Sequence, residues 1–445
     1  MMARHAPSMF PCRSAIRAVG VSTDRPSLPV QTPSRFYRAN GSRSNGSEQP
    51  WPETRTVLPI PFLGLFLAFL VWAPVGLAAQ SRIVGGSKAG DADYPWMVAV
   101  AEKSSRTLFD RQFCGGTLIA ADWVLTAAHC MEGEVPSGIE VVARISDLGD
   151  SSGAEVRAVR GIFIHPDFAD LSGDLVNDIA LILLDTPITS VSSLAYSRSA
   201  SPSPLDDTVR AIGWGDTNSS PRFPNALQMV DLSLTPIAAA RRIYGSNRLD
   251  HRHLAAMAPG KDTCGGDSGG PLFDLDGDQG APLVLGITSF GLQCAERGVP
   301  GIYTNVGNYE AWINAFLAEP TTGDPLVEVS GRGIPVISRS LSASVTNGTH
   351  FGRRLRAGRT ATRSFEISNS NGAIPLSINA ARSSNQSFRL SGLPTYLLSG
   401  TRGSFSIQYR APFFFRRGTS RGLVTIVTND PVNPVFVFRV LARYR

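Results

Sequence analysis

The sequence predicts an all-β chain, with a pair of β-barrels over residues 83–318 and a β-sandwich over 342–445. Three observations carry this. Between positions 83 and 317, short apolar runs (96–100, 116–120, 141–145, 179–184, 209–213, 284–290 and 301–306) alternate with Gly, Asn, Asp and Pro, at strand rather than helix length. Only 236–244 and 309–317 keep helical spacing there, a balance that suits closed barrels with a terminal helix. From 342 onward a second set of strand-length runs (365–368, 405–409, 423–428 and 435–441) is split by turns such as Asn369-Ser370-Asn371-Gly372 and Thr428-Asn429-Asp430-Pro431. At about one hundred residues, that stretch has the size of a sandwich. A chain of 445 residues also exceeds one ordinary domain.

Taken in order, residues 1–57 are rich in Arg, Ser and Pro without hydrophobic periodicity, and are expected to be disordered or an artefact of the assigned start. Residues 58–79 are uncharged and apolar and end in Gly76-Leu77-Ala78-Ala79, which suits a secretory signal cleaved near Ala78 or Ala79. A retained membrane anchor is the alternative. Residues 80–82 are left as a short propeptide. Arg82 precedes Ile83-Val84-Gly85-Gly86, so cleavage after Arg82 would free an Ile83 α-amine. A buried ammonium needs a buried carboxylate, for which Asp267 is the candidate. Residues 319–341, with Pro320, Pro325 and Gly331-Arg332-Gly333, are expected to be a linker.

The net charge of +6 conceals a division. From 331 onward there are seventeen Arg, no Lys and two acids, Glu366 and Asp430, a net +15; residues 58–330 carry a net −14. The basic tail could bind an anionic surface such as lipopolysaccharide, teichoic acid or nucleic acid, dock on the acidic body of its own chain, or be a solvated face. Of the five cysteines, Cys114, Cys130, Cys264 and Cys294 lie in the body and suit two disulfides in an oxidising compartment; Cys12 is left over. No metal-ligand spacing is present, and neither a metal nor a cofactor is expected.

The chemistry centres on Cys264-Gly265-Gly266-Asp267-Ser268-Gly269-Gly270-Pro271, where Ser268 lies among residues that favour a tight loop with inward-pointing N–H groups. Serine is a weak nucleophile and needs a base. His129, in Thr126-Ala127-Ala128-His129-Cys130, is a candidate base, and Asp178, at the mouth of the apolar run 179–184, a candidate orienting acid. Singly, His129 is equally a satisfied core histidine and Asp178 a turn residue. The order His, Asp, Ser, each in a special local setting, argues for a catalytic set.

These motifs, with Cys114-Gly115-Gly116-Thr117, Gly213-Trp214-Gly215 and Pro300-Gly301-Ile302-Tyr303, resemble those of the trypsin/chymotrypsin family of serine peptidases over residues 83 to about 317. The resemblance implies two six-stranded antiparallel barrels and a secreted endopeptidase made as a zymogen. It implies Ser268 as nucleophile, His129 as base and acid, Asp178 as orienting acid, and the Gly266 and Ser268 N–H groups as oxyanion hole. Implied too are Cys114–Cys130 and Cys264–Cys294 disulfides and an Ile83–Asp267 pair after cleavage. Asp262 matches the base of the primary pocket, with Ser289, Gly291 and Gly301 lining it, which implies cleavage after Arg or Lys by a monomer acting on proteins or peptides. Phe290 stands where Trp is usual, Gln293 where Gly is usual, and the disulfide bracing the segment before Lys261 is missing. The tail resembles bacterial Ig-like modules of the choice-of-anchor and ASH, or HYDIN-like, type. The rival to an enzyme is a catalytically silent or surface-anchored binding protein on a protease fold.

Overall fold

A computed structural model describes residues 84–445, except 91, 202–207, 218–222, 246–248, 278–279, 353–354 and 414–416. The expected N-terminal extension, signal or anchor, propeptide, Cys12, Arg82 and Ile83 lie outside the described residues. Among the described residues no helix is long and apolar enough to cross a membrane.

The expected pair of closed, six-stranded antiparallel barrels is formed. In the first, the spatial order is Met97–Glu102, Gln112–Ala120, Trp123–Thr126, Ala180–Leu184, Glu155–Ile164 and Ile139–Ala143, which returns to the first strand. Strand Ala180–Leu184 is buried at every position, as its unbroken apolar run requires. In the second barrel the order is Gln228–Thr235, Thr208–Gly213, Pro271–Asp274, Leu283–Phe290, Gly301–Asn305 and His253–Met257. Pairing of Leu234 with Ala256 closes that ring. Gln228–Thr235 alternates buried and partly exposed side chains, the period of two expected of a barrel wall. Both helical patterns appear, as Ile237–Tyr244, capped by Gly245 at φ +62°, and Glu310–Leu317. Phe316 of the last helix packs on Trp123 and Phe163 of the first barrel, with ring centroids 5.8 and 4.9 Å away.

C-terminal to the barrels lie two antiparallel sheets. One runs Ile334–Val336, Glu328–Gly331, Thr360–Ser368, Arg402–Arg410, Phe388–Ser391; the other runs Tyr396–Leu397, Leu376–Ser383, Gly418–Thr428, Val435–Tyr444. Phe365, Ile367, Phe405 and Ile407 from the first share one buried cluster with Ile378, Val424, Ile426, Phe438 and Val440 from the second. The expected linker 319–341 is corrected here. Its Glu328–Gly331 and Ile334–Val336 form a hairpin whose Val329 pairs with Ile367. Val327, Val329 and Val336 are buried at alternating positions, and Arg332 and Gly333 both hold positive φ, as a two-residue hairpin turn demands. Gly331 and Gly333, which suggest a linker, belong to that turn, whereas Pro320 and Pro325 precede the hairpin.

Candidate active site

The serine loop is shaped by what cannot fit around it. Gly269 has φ +78°, and a side chain there would collide with Thr126 Oγ1 and the Gly115 carbonyl. The loop therefore presses on Thr126-Ala127, just ahead of the short helical turn Ala128–Met131 that carries His129. Gly115 N donates to the Ser268 carbonyl at 2.8 Å, and Thr126 Oγ1 donates to the Gly115 carbonyl at 2.8 Å. On the other side Gly269 N donates to Thr288 O and Thr288 N to Gly270 O, both at 2.9 Å. Ser268 is thus clamped between the two barrels. Both expected disulfides are formed: Cys114–Cys130 ties the His129 turn to the strand bearing Gly115, and Cys264–Cys294 ties the serine loop to the segment after Phe290.

His129 and Asp178 come together although 49 positions separate them. His129 Nδ1 lies 2.8 Å from Asp178 Oδ2, and the His129 backbone N–H donates to Asp178 Oδ1 at 2.8 Å. Asp178 is 1% exposed, and such a carboxylate is tolerated because its lone pairs are satisfied. Burial disfavours charge on both groups. For His129 the Asp178 charge and hydrogen bond outweigh burial and raise its pKa; for Asp178 the His129 charge and the donated bonds outweigh burial and lower it.

Ser289 Oγ also donates to Asp178 Oδ2, at 2.5 Å, and Thr304 Oγ1 to the Asp178 carbonyl at 2.8 Å. Ser289, which the resemblance puts on the wall of the primary pocket, turns its hydroxyl to the acid. Nothing in the run 284–290 marks this, because it depends on one strand end passing behind Asp178.

Gly266 holds φ +101°, open only to glycine, and its carbonyl accepts from Gln112 Nε2 at 3.3 Å. The N–H groups of Gly266 and Ser268 have no hydrogen-bond partner among the described residues. Asp267 is fully buried against Gly213 and Gly215 and accepts from Gly215 N at 2.7 Å and Cys264 N at 2.8 Å. Burial pushes its carboxyl up to about 7. Val84, next to the expected new N-terminus, accepts from Asp262 N at 3.2 Å in the same loop.

Asp262 is 4% exposed, accepts from Thr263 N at 2.8 Å and Ala295 N at 3.0 Å, and is pushed up to about 6 by burial. A side chain at Gly301 would stand 2.9 Å from Asp262 Oδ1, whereas one at Gly291 would meet nothing nearer than Tyr244 Oη, 3.9 Å away. The carboxylate therefore sits beside a wall that only glycine leaves open. Phe290, in place of the usual Trp, packs edge-on to Tyr244 and His253. Among the described residues the cluster nearest to metal-ligand geometry, Cys114, His129 and Cys130, has both sulfurs in a disulfide.

An imidazole held by a buried carboxylate and a serine on a loop with free N–H donors are the equipment of a serine hydrolase; here His129 Nε2 lies 3.7 Å from Cys130 Sγ and makes no hydrogen bond to Ser268. The family model described as Trypsin matches residues 83–313, more than half of the chain. The chain is 37% identical to Kallikrein-1 of Mus musculus over 274 residues, 58% of this chain and 98% of that protein. It is 35% identical to Trypsin-1 of Astacus astacus over 241 residues (52% and 99%) and 31% identical to the Venom peptide isomerase heavy chain of Agelenopsis aperta over 245 residues (52% and 98%). The chain belongs to the trypsin family and is a serine endopeptidase that acts on protein or peptide substrates.

Proposed function

We propose that the chain is a secreted endopeptidase that cleaves after Arg or Lys and is activated by cleavage after Arg82. Ser268 Oγ attacks the substrate carbonyl while His129 Nε2 takes its proton, forming a tetrahedral intermediate. The negative oxygen of that intermediate is met by the Gly266 and Ser268 N–H groups. His129 then gives its proton to the leaving amine, an acyl-enzyme remains, and a water activated by His129 releases the acid. Asp178 stays ionised throughout and holds the imidazole by Nδ1. The observation that carries this is the bonding of His129 by Asp178 through both Nδ1 and the backbone N–H.

For specificity, the support is the buried Asp262, which has no cationic partner among the described residues, with Gly301 beside it. A buried carboxylate without a cation is costly, and a substrate guanidinium supplies one. For activation, the support is Asp267, whose raised pKa reports a buried carboxyl in want of a cation, and Val84, whose carbonyl accepts from Asp262 N of the same loop. Arg82 suits the proposed pocket, so self-activation is open to the enzyme. Secretion agrees with the two disulfides.

The two C-terminal sheets read as an Ig-like sandwich beginning near 328, where the hairpin starts. Its outer arginines, such as Arg382, Arg389, Arg410 and Arg421, are exposed and suit an anionic surface. A fluorophosphonate should label the wild-type protein and not Ser268→Ala, and the secreted active form should begin at Ile83. Wild type that resists labelling would leave a binding protein on a protease fold.

A further inference from the structure

The C-terminal sheets meet the first barrel behind the catalytic acid, through aromatic rings and hydrogen bonds. Among the described residues one ion pair bridges the barrel to the stretch leading to those sheets, Arg160 with Asp324, and its cation is on the barrel. The Tyr396 ring lies 4.8 Å from Phe316 and 6.5 Å from Phe163. Ile374 is fully buried in the barrel's own core cluster, and Leu398 packs against it.

Two arms run from this contact to the segment 177–180. In the first, Trp312 Nε1 donates to the Tyr396 hydroxyl at 3.1 Å. The Trp312 ring lies 5.3 Å from His165, and His165 lies 5.2 Å from Tyr309. The Tyr309 hydroxyl donates to Asn177 Oδ1 at 3.0 Å in the interior. Asn177 holds φ +53°, a left-handed conformation that Asn adopts more readily than most residues, and it directly precedes Asp178. In the second arm, Thr395 Oγ1 donates to the Ile164 carbonyl at 3.1 Å. Ile164 is the strand partner of Ala180, and His165 N donates to the Ile179 carbonyl at 3.1 Å.

We propose that Tyr396 and Thr395 are positioning residues for catalysis, so that the C-terminal sheets hold the 177–180 segment with Asp178 aimed at His129. This rests on His129 and Asp178 being the catalytic pair. The physical reason is tolerance. Asp178 meets His129 Nδ1, His129 N and Ser289 Oγ at 2.8, 2.8 and 2.5 Å, and a carboxylate so bonded has no slack to absorb a shift of its backbone. Displacements of about 1 Å at a reacting site cost up to ~100-fold in rate.

The test uses the full activated chain carrying Tyr396→Ala, and separately Tyr396→Phe combined with Thr395→Val. For Tyr396→Ala, kcat should fall about ten-fold with KM little changed. The acid limb of kcat/KM should move to lower pH, because His129 loses part of the support of Asp178 while the charges of Asp170 and Glu132 stay. The conservative double variant keeps the ring, loses both hydrogen bonds, and should move kcat and the limb in the same direction by less. A merely structural contact would lower Tm and leave kcat and the acid limb at wild-type values well below Tm; that result overturns the proposal. If Tyr396→Ala does not fold, wild-type kcat and limb in the double variant overturn it alone. Wild type that a fluorophosphonate fails to label would instead overturn the catalytic assignment, and this proposal with it.

Discussion

If the enzyme cleaves after Arg or Lys as proposed, lowering the pH from 7 to 5 should erode that preference, separately from its loss of rate. Asp262 is buried and its carboxyl is pushed up to about 6 from an ordinary value of 3.8. A rise of that size corresponds to about 3 kcal/mol of disfavour for the charged form in the empty pocket. A substrate guanidinium relieves it only when the carboxylate is ionised. With a pKa near 6, the ionised fraction falls about ten-fold between pH 7 and pH 5. The assay is kcat/KM for two peptide substrates alike except for Arg or a neutral isostere at the cleaved bond. Their ratio cancels the titration of His129, which acts on both. The ratio should drop about ten-fold over that range. In Asp262→Ser the ratio should be lower by about 100-fold or more at pH 7, from the loss of charge-assisted bonds worth about 1.5–3 kcal/mol each, and flat with pH. A wild-type ratio that does not change between pH 7 and 5 would refute the placement of Asp262 at the base of the pocket.

Asp178→Asn keeps the shape but cannot hold the required imidazole tautomer, and kcat should fall by about 10⁴ with KM near normal, measured by steady-state kinetics. In the uncleaved chain, made inert by Ser268→Ala, Asp267 keeps its proton between about pH 4 and 7 while the unfolded chain has lost it. Stability should therefore fall as pH rises through that window, by up to about 1.4 kcal/mol per pH unit from this group, and thermal melts of Asp267→Asn should lack that part of the slope. Gly269→Ala places a methyl group against Thr126 Oγ1 and the Gly115 carbonyl at positive φ. It should cost about 1–3 kcal/mol of stability and abolish fluorophosphonate labelling, with melting and labelling read on the same sample.

Much of the candidate site was legible because its chemistry is written in short contiguous motifs. The glycines around Ser268, the small residues before His129 and the apolar run after Asp178 each describe a local backbone setting. Strand content was legible for the same reason, since alternation and turn residues act over a few positions. The hairpin 328–336 was missed because its Gly331-Arg332-Gly333 turn has the composition of a linker, and only its pairing with Thr360–Ser368 shows otherwise. The bond from Ser289 to Asp178 was not legible because the neighbours of Ser289 say nothing of a partner 111 positions away. The charge division left open an anionic partner, a dock on the acidic body or a solvated face; where the tail meets the barrel, the contact is made by rings and hydrogen bonds, which no charge count reveals.

By itself the sequence determined the strand-rich class of fold and the reactive residue types, because each is written in patterns a few residues long. Tertiary structure decided which donors surround Asp178, which glycines leave room beside Asp262, and where Tyr396 lands. Those depend on the closure of two barrels and on sheets far along the chain meeting behind one strand. A buried carboxylate is aimed by every group that touches it, and these groups come from segments that only folding brings together.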